Sequence, residues 1–234
     1  MTNRIHIPEV GPVSLGSNQV RLREPSPLDG LAWSRLRVDD ADRLASRTEG
    51  LVPIDTARRW AAQNGTANWM NIQQTAQHRI ERGLGFSWVI EVDSQFAGQL
   101  ELTGLSQAPH HAARVGAWVG RRFASSGVAS AALALALDYA FGSTDLELVE
   151  ALIDSDNEHS RRGLISMGFR PTDEQQDLRS IWESHYQRDP AAELFEITRN
   201  DLPAGALSFV EHALRGISRR TRRTDDGVGE ADSR

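Results

Sequence analysis

The chain has 234 residues, enough for one compact domain with a short extension. Hydrophobic residues make up 39% and charged residues 25%, which places it among globular chains with an ordinary core. The formal charge of -6 argues against broad attraction to nucleic acid, and the absence of cysteine excludes disulfides and thiolate metal sites and fits a reducing cytoplasm. Every basic residue counted with lysine is an arginine, so no phosphate loop of the Walker type is available. The N-terminus lacks the basic-then-apolar design of a signal peptide.

The elements follow in chain order. Residues 1–17 carry Pro8, Gly11, Pro12 and Gly16 and read as an irregular lead-in. Gln19–Glu24 alternates and predicts a strand. Ser26 as N-cap and Pro27 at the first helical position open a helix to about Arg37, with Leu31, Trp33 and Leu36 inward. Residues 40–84 predict weakly amphipathic helices, one starting at Ile54–Ala57 and one over Asn71–Arg82. The period then switches to two. Phe86–Val92 and Phe96–Thr103 predict a hairpin about Asp93-Ser94.

Ala113–Val119 is the next strand. Gly127–Phe141 follows as a buried helix, too short to span a bilayer. Leu146–Ile153 predicts a strand, Asn157–Met167 a helix ended by Gly168, and Phe169–Trp182 and Ala191–Thr198 closing strands. Strand–helix–strand implies a parallel pair with a right-handed crossover. The fold class is therefore α+β with an α/β-like core, built on one mixed twisted sheet of about six to seven strands flanked by helices. The expected organisation is a lead-in over 1–18, a domain over 19–202, and a C-terminal helix with a disordered tail over 203–234. The cluster Arg219–Arg223 reads as part of that solvated tail.

The chemistry gathers where the strand ending Trp118-Val119 meets the helix opening at Gly127. Such a loop presents unpaired N–H groups with a favourable helix dipole, which suits an anion. Ala124, Ser125, Ser126, Gly127, Val128 and Ala129 are small or lead straight into the helix, and the two serines add hydroxyl donors. Arg121 and Arg122 supply charge. On local chemistry alone an ordinary connection, with Gly127 there for packing, is the more economical account. The pair His110-His111 has no supporting carboxylate pattern, so no metal site is expected.

The order of four features changes that weighting. These are Gly116–Val119, the loop Ala124–Ala129, the strand Leu146–Asp154, and Asn157–Ser160 followed by Gly168-Phe169. Together they resemble the GCN5-related N-acetyltransferase (GNAT) family over about 19–202, in the branch of RimJ/RimL-type ribosomal-protein-alanine N-acetyltransferases. The family loop runs roughly [QR]-x-x-G-x-[GA]. Gly127 and Ala129 match it, while Ala124 stands at the Gln/Arg position, Ser125 where a glycine is usual and Ser126 where an arginine is usual. Asn157, Ser160, Gly168 and Phe169 match the second motif, which also reads as plain helix capping. The family's Trp-Arg-Asp-His segment is replaced by Ile181–Gln187.

The resemblance implies acetyl-CoA as co-substrate, no metal, and direct transfer to a primary amine, such as a protein N-terminus, in a ternary complex. It implies cofactor contacts from Trp118, Val119, Arg122, Ala124, Ser125, Ser126, Gly127, Val128, Ala129, Asn157 and Ser160. A backbone N–H at Trp118 or Val119 would stabilise the oxyanion. Glu150 and Glu101 are the candidate bases, each raised in pKa if desolvated on its strand, with deprotonation through water as the competitor. Ser160 is the candidate donor to the leaving thiolate, since Leu164 stands where many relatives carry tyrosine. Trp60 and Trp69 fall in the region that builds the acceptor pocket. The implied setting is cytoplasmic, with no membrane or nucleic-acid partner and a homodimer as an admissible assembly. A GNAT-shaped binding protein without turnover is the alternative.

Overall fold

The structure, a computed structural model, describes residues 6–48, 60–105, 111–154, 156–172 and 192–208. The helix start at 54–57, the 181–187 segment and the 217–234 tail lie outside them.

Eight strands form one sheet: β1 (Val10–Leu15), β2 (Asn18–Arg23), β3 (Gly85–Val92), β4 (Gln95–Thr103), β5 (Ala112–Val119), β6 (Leu148–Ile153), β7 (Arg170–Pro171) and β8 (Glu193–Thr198). Their spatial order is β1-β2-β3-β4-β5-β6-β8-β7. Only β5 and β6 run parallel, joined by the helix that the strand–helix–strand pattern requires. Among the described residues the sheet has one strand more than the seven segments read from the sequence, because β1 joins it at the edge. β1 forms where Gly11 and Pro12 predicted irregular chain. An edge position tolerates proline, and the register break between Val10 and Val13 absorbs the two residues. The β3–β4 turn is as expected, with Asp93 and Ser94 at φ 47 and 64, a conformation suited to a two-residue hairpin.

Helices cover the two faces differently. α4 (Val128–Ser143) packs across β1, β2, β4 and β5 and is buried nearly all round. Its outer side meets residues 203–208, where Asp138 accepts hydrogen bonds from the N–H groups of Ala206 and Leu207. That explains one aspartate in an otherwise apolar helix. α5 (Glu158–Ser166) sends Leu164 into the same core.

α1 (Gly30–Asp39), α2 (Ala41–Thr48) and α3 (Thr66–Glu81) occupy the other face. The Ser26 capping box closes a short turn at Pro27–Asp29, and α1 starts only after it. Trp33 and Leu36 point inward with Gly30 against Trp69, and Leu31 is 65% exposed rather than inward. At 100° per residue Leu31 lies about 200° from Trp33, so one face cannot hold both.

A buried ion-pair network anchors this side. The Glu91 carboxylate accepts from Arg21 Nε at 2.6 Å and from Arg23 Nε. Arg23 also grips Asp29 with two hydrogen bonds, of 2.8 and 2.6 Å. Burial pushes the Glu91 carboxyl upward, and the two arginines outweigh it, so its net displacement is downward.

Candidate active site

The β5–β6 ladder runs only from Ala112↔Leu148 to Val115↔Ala151. β5 stays paired with β4 as far as Gly98↔Val119, and β6 with β8 as far as Ile153↔Glu193. The parallel strands therefore part after Val115. Among the described residues, the edge of β5 from Gly116 to Val119 keeps no strand neighbour on that side. Gly120 N–H donates to Ala97 C=O at 2.8 Å, toward β4. Strand alternation then directs the N–H groups of Val119 and Ala117 into the gap, and that of Trp118 toward β4. Of the two backbone N–H groups expected to serve an oxyanion, that of Val119 is the one that faces the gap. Gly98 permits this approach of β4 to β5, since a Cβ there would lie 2.0 Å from Trp118 C=O.

The gap leads to the small-residue loop. Gly127 sits at φ 85, and α4 begins at Val128 with no side chain capping it. The first-turn N–H groups of Val128, Ala129 and Ser130 precede the first helical bond, which Ala131 N–H makes to Gly127 C=O. Ser125, standing where the family has glycine, takes φ 59. The left-handed turn is thus retained without its glycine, at about 1 kcal/mol of strain. Ser126 spends its hydroxyl proton on Phe123 C=O at 2.6 Å, so Ser125 holds the hydroxyl still available as a donor.

Only one of the two loop arginines is open to an anion. Arg121 is held by Asp40 through its own N–H at 2.6 Å and Nε at 3.1 Å, and by both oxygens of Asp42. Arg122 lies 4.5 Å over the Phe123 ring and pairs with no carboxylate among the described residues. Asp40, 2% exposed, also accepts from Arg43 Nη2, which reaches Val119 C=O at 2.6 Å. The α1–α2 corner thereby fastens the strand end and the loop to each other. The sequence carried no signal for this brace, because its partners are 76 to 81 residues apart. The uncapped helix, the left-handed Ser125 and the free Arg122 fit a phosphate ester, and the parted strands fit an extended chain behind it.

The other face of the gap holds the carboxylates. Register places Glu101 beside Gly116, and Arg114 beside Glu150, on one face of the sheet. A Cβ at Gly116 would meet nothing within 4 Å, so the floor here is open. Neither carboxylate stands in the apolar setting expected of it. Glu101 accepts from Arg79 Nη1 at 2.9 Å and Ser87 Oγ at 3.2 Å. Glu150 accepts from Arg114 Nη2 at 2.8 Å on one oxygen, and its other oxygen has no donor among the described residues. Asn157 Oδ1 accepts from Ser160 N–H at 3.3 Å, so the capping account of that motif holds. The Ser160 hydroxyl is unengaged among the described residues. It sits in the first turn of α5, whose Leu164 joins the core on the α4 side of the sheet. Trp60 and Trp69 are fully buried and line no open surface. Trp118 is the half-exposed indole, with Arg37 stacked at 5.2 Å from its ring and 4.4 Å from that of Trp60.

Comparison with known proteins agrees with this geometry. Residues 20–170 match the acetyltransferase (GNAT) domain family. The chain belongs to that family, and so to the acyltransferases that take their acetyl group from acetyl-CoA. Among solved structures it is similar to Mycobacterium smegmatis RimJ in complex with CoA-disulfide. That match has 29% identity and a TM-score of 0.75 over 89% of this chain and 97% of that one. The ribosomal-protein-S5-alanine acetyltransferase of Vibrio fischeri shares the fold at 18% identity and TM-score 0.62, covering 82% and 98% of the two chains. The microcin C7 self-immunity acetyltransferase MccE, bound to acetyl-CoA and AMP, does so at 12% and 0.62, covering 80% and 96%. No curated protein sequence matches the chain. Among the described residues no helix is long and apolar enough to cross a membrane.

Proposed function

We propose that the chain is a cytoplasmic N-acetyltransferase whose acceptor is the terminal amine of a protein, with residues 19–202 forming the working domain. The observation that carries this reading is the parting of β5 and β6 beside an uncapped helix N-terminus. The likeness to RimJ supports the acceptor class. Bound acetyl-CoA supplies the acyl carbon and the thiolate leaving group. Its phosphates are held by Ser125, Arg122 and the N–H groups from Gly127 to Ala129.

Transfer is direct, within a ternary complex. Glu150, with one oxygen fixed by Arg114 and the other open, takes the proton of the acceptor ammonium, directly or through a water. Val119 N–H donates to the oxygen on which charge develops, and its backbone position costs no reorganisation during the reaction. Ser160 hydrogen-bonds to the departing sulfur, and Asn157 orders the turn that carries it. Glu101, with both oxygens engaged, holds the floor beneath the acceptor.

Thermal unfolding with acetyl-CoA, followed by mass analysis of N-terminal peptides, tests the reading. Ligand at about 100 times its dissociation constant adds about 2.7 kcal/mol and raises the midpoint. The expected result is that rise together with one acetyl group on the peptide. A rise without peptide modification would reassign the chain as an acyl-CoA-binding protein, and no rise at millimolar ligand would remove the coenzyme altogether.

A further inference from the structure

Gln99 lies on β4, directly across from Trp118 on β5, and is only 7% exposed. Its Oε1 accepts from two indoles, Trp33 Nε1 at 2.8 Å and Trp118 Nε1 at 3.1 Å. An indole nitrogen donates only, so these two bonds decide which end of the amide is oxygen. The amide nitrogen must therefore face away from both rings. It donates to nothing among the described residues, yet it is absent from the buried polar atoms that lack a partner. The nitrogen is thus the part of this side chain that solvent still reaches.

The position is specific. Gln99 precedes Glu101 by two residues on the same strand face, so it borders the open floor at Gly116 and the wall formed by Trp118. Two donors fixed by two tryptophans, set in an otherwise buried amide, form a receptor for an acceptor atom. A carboxylate ligand is disfavoured there, because Glu101 and Glu150 share the face. A neutral carbonyl oxygen fits. In a protein N-terminus such an oxygen lies three bonds from the amine nitrogen, whereas a lysine side chain or a simple alkylamine has none near its amine.

Resting on the acetyltransferase reading above, we infer that Gln99 is an acceptor-binding residue: its amide donates to the first carbonyl of the acceptor and selects α-amino amides over carbonyl-free amines. The indoles of Trp33 and Trp118 act as positioning residues that hold the amide in its donating orientation.

The test is the ratio of kcat/KM for an alanine-terminated peptide to that for the same peptide with its first amide replaced by an E-alkene, which removes the carbonyl and adds no basic nitrogen. Wild type is compared with Gln99→Glu, at a pH where both amines are equally protonated. Glutamate keeps an oxygen for both indoles and removes the donors, so the fold is retained, and an unchanged acetyl-CoA midpoint shift verifies that. Because both acceptors carry the same charge, attraction of the new carboxylate for ammonium cancels in the ratio. The wild type is expected to favour the peptide by about tenfold, the weight of one hydrogen bond, and the variant to lose that preference. An unchanged ratio in Gln99→Glu, or no preference in the wild type, overturns the assignment while leaving the transferase intact. Acetyl-CoA binding without turnover of any amine overturns the function reading, and this inference with it.

Discussion

The two faces of the sheet do different jobs. The α4 face is dry: Val20, Leu22, Leu100, Leu102, Val149, Phe195 and Ile197 meet the alanines and leucines of α4 with no charged group among the core side chains. The opposite face carries Arg21, Arg23 and Glu91 on β2 and β3, then Gln99 and Glu101, then Trp118 and Arg114, then Glu150. One face supplies stability through apolar area, and the other spends part of it on polar groups that must be matched one by one. The parting of β5 from β6 opens a gap between the two, and in the function proposed above coenzyme and acceptor approach this common strand edge from opposite sides.

Substitutions on each side sharpen that contrast. Leu137→Ala, on the dry face, is expected to cost about 3 kcal/mol in urea unfolding, while KM for acetyl-CoA in the folded fraction stays as it was. A comparable loss of coenzyme affinity would show that the faces are not separable. Glu91→Ala strands two arginines and should cost about 2 kcal/mol, less than a dry-face cavity because Arg21 remains partly solvated.

The same residue gives the polar face a pH signature. The folded Glu91 carboxyl titrates below its ordinary value of 4.5. Its contribution is therefore complete above that value and is lost as pH falls through the folded pKa. Stability measured between about pH 6 and pH 3 should fall less steeply in Glu91→Gln than in wild type. Equal slopes would remove the network from the account.

Ser125→Gly relieves the left-handed turn and should raise stability by about 0.5–1 kcal/mol in a thermal scan, while acetyl-CoA affinity falls by about threefold with the lost hydroxyl donor. Destabilisation would mean that Ser125 is held for more than its backbone. Arg79→Ala breaks a half-exposed pair with Glu101 and should change stability by less than about 1 kcal/mol. A larger loss would make that pair part of the frame rather than of the floor.

Much of this was legible in the chain. Period-two runs, the Asp93-Ser94 turn and the apolar stretch from Val128 announced the hairpin, the crossover and the buried helix, because those signals are local. Gly127, Asn157 and Gly168 marked helix ends for the same reason, and the family likeness added their meaning. The edge strand β1 escaped because its glycine and proline are breakers in isolation and become tolerable only beside β2. Leu31 was misassigned because it lies about 200° round the helix from Trp33, so the face that buries Trp33 leaves it exposed.

What the sequence determined by itself is most of the elements and a strand-to-helix loop of small residues, both consequences of backbone propensity over a few residues. Tertiary structure alone decided which groups remain free to act. Arg121 is tied to Asp40 and Asp42, Ser126 to Phe123, and Glu101 to Arg79, while Ser125, Arg122 and one oxygen of Glu150 are left open. Gln99 became a donor only because Trp33 and Trp118 occupy its oxygen. The reason is physical: a polar side chain has few hydrogen bonds to give, and which of them are already spent depends on partners that the fold brings from far along the chain.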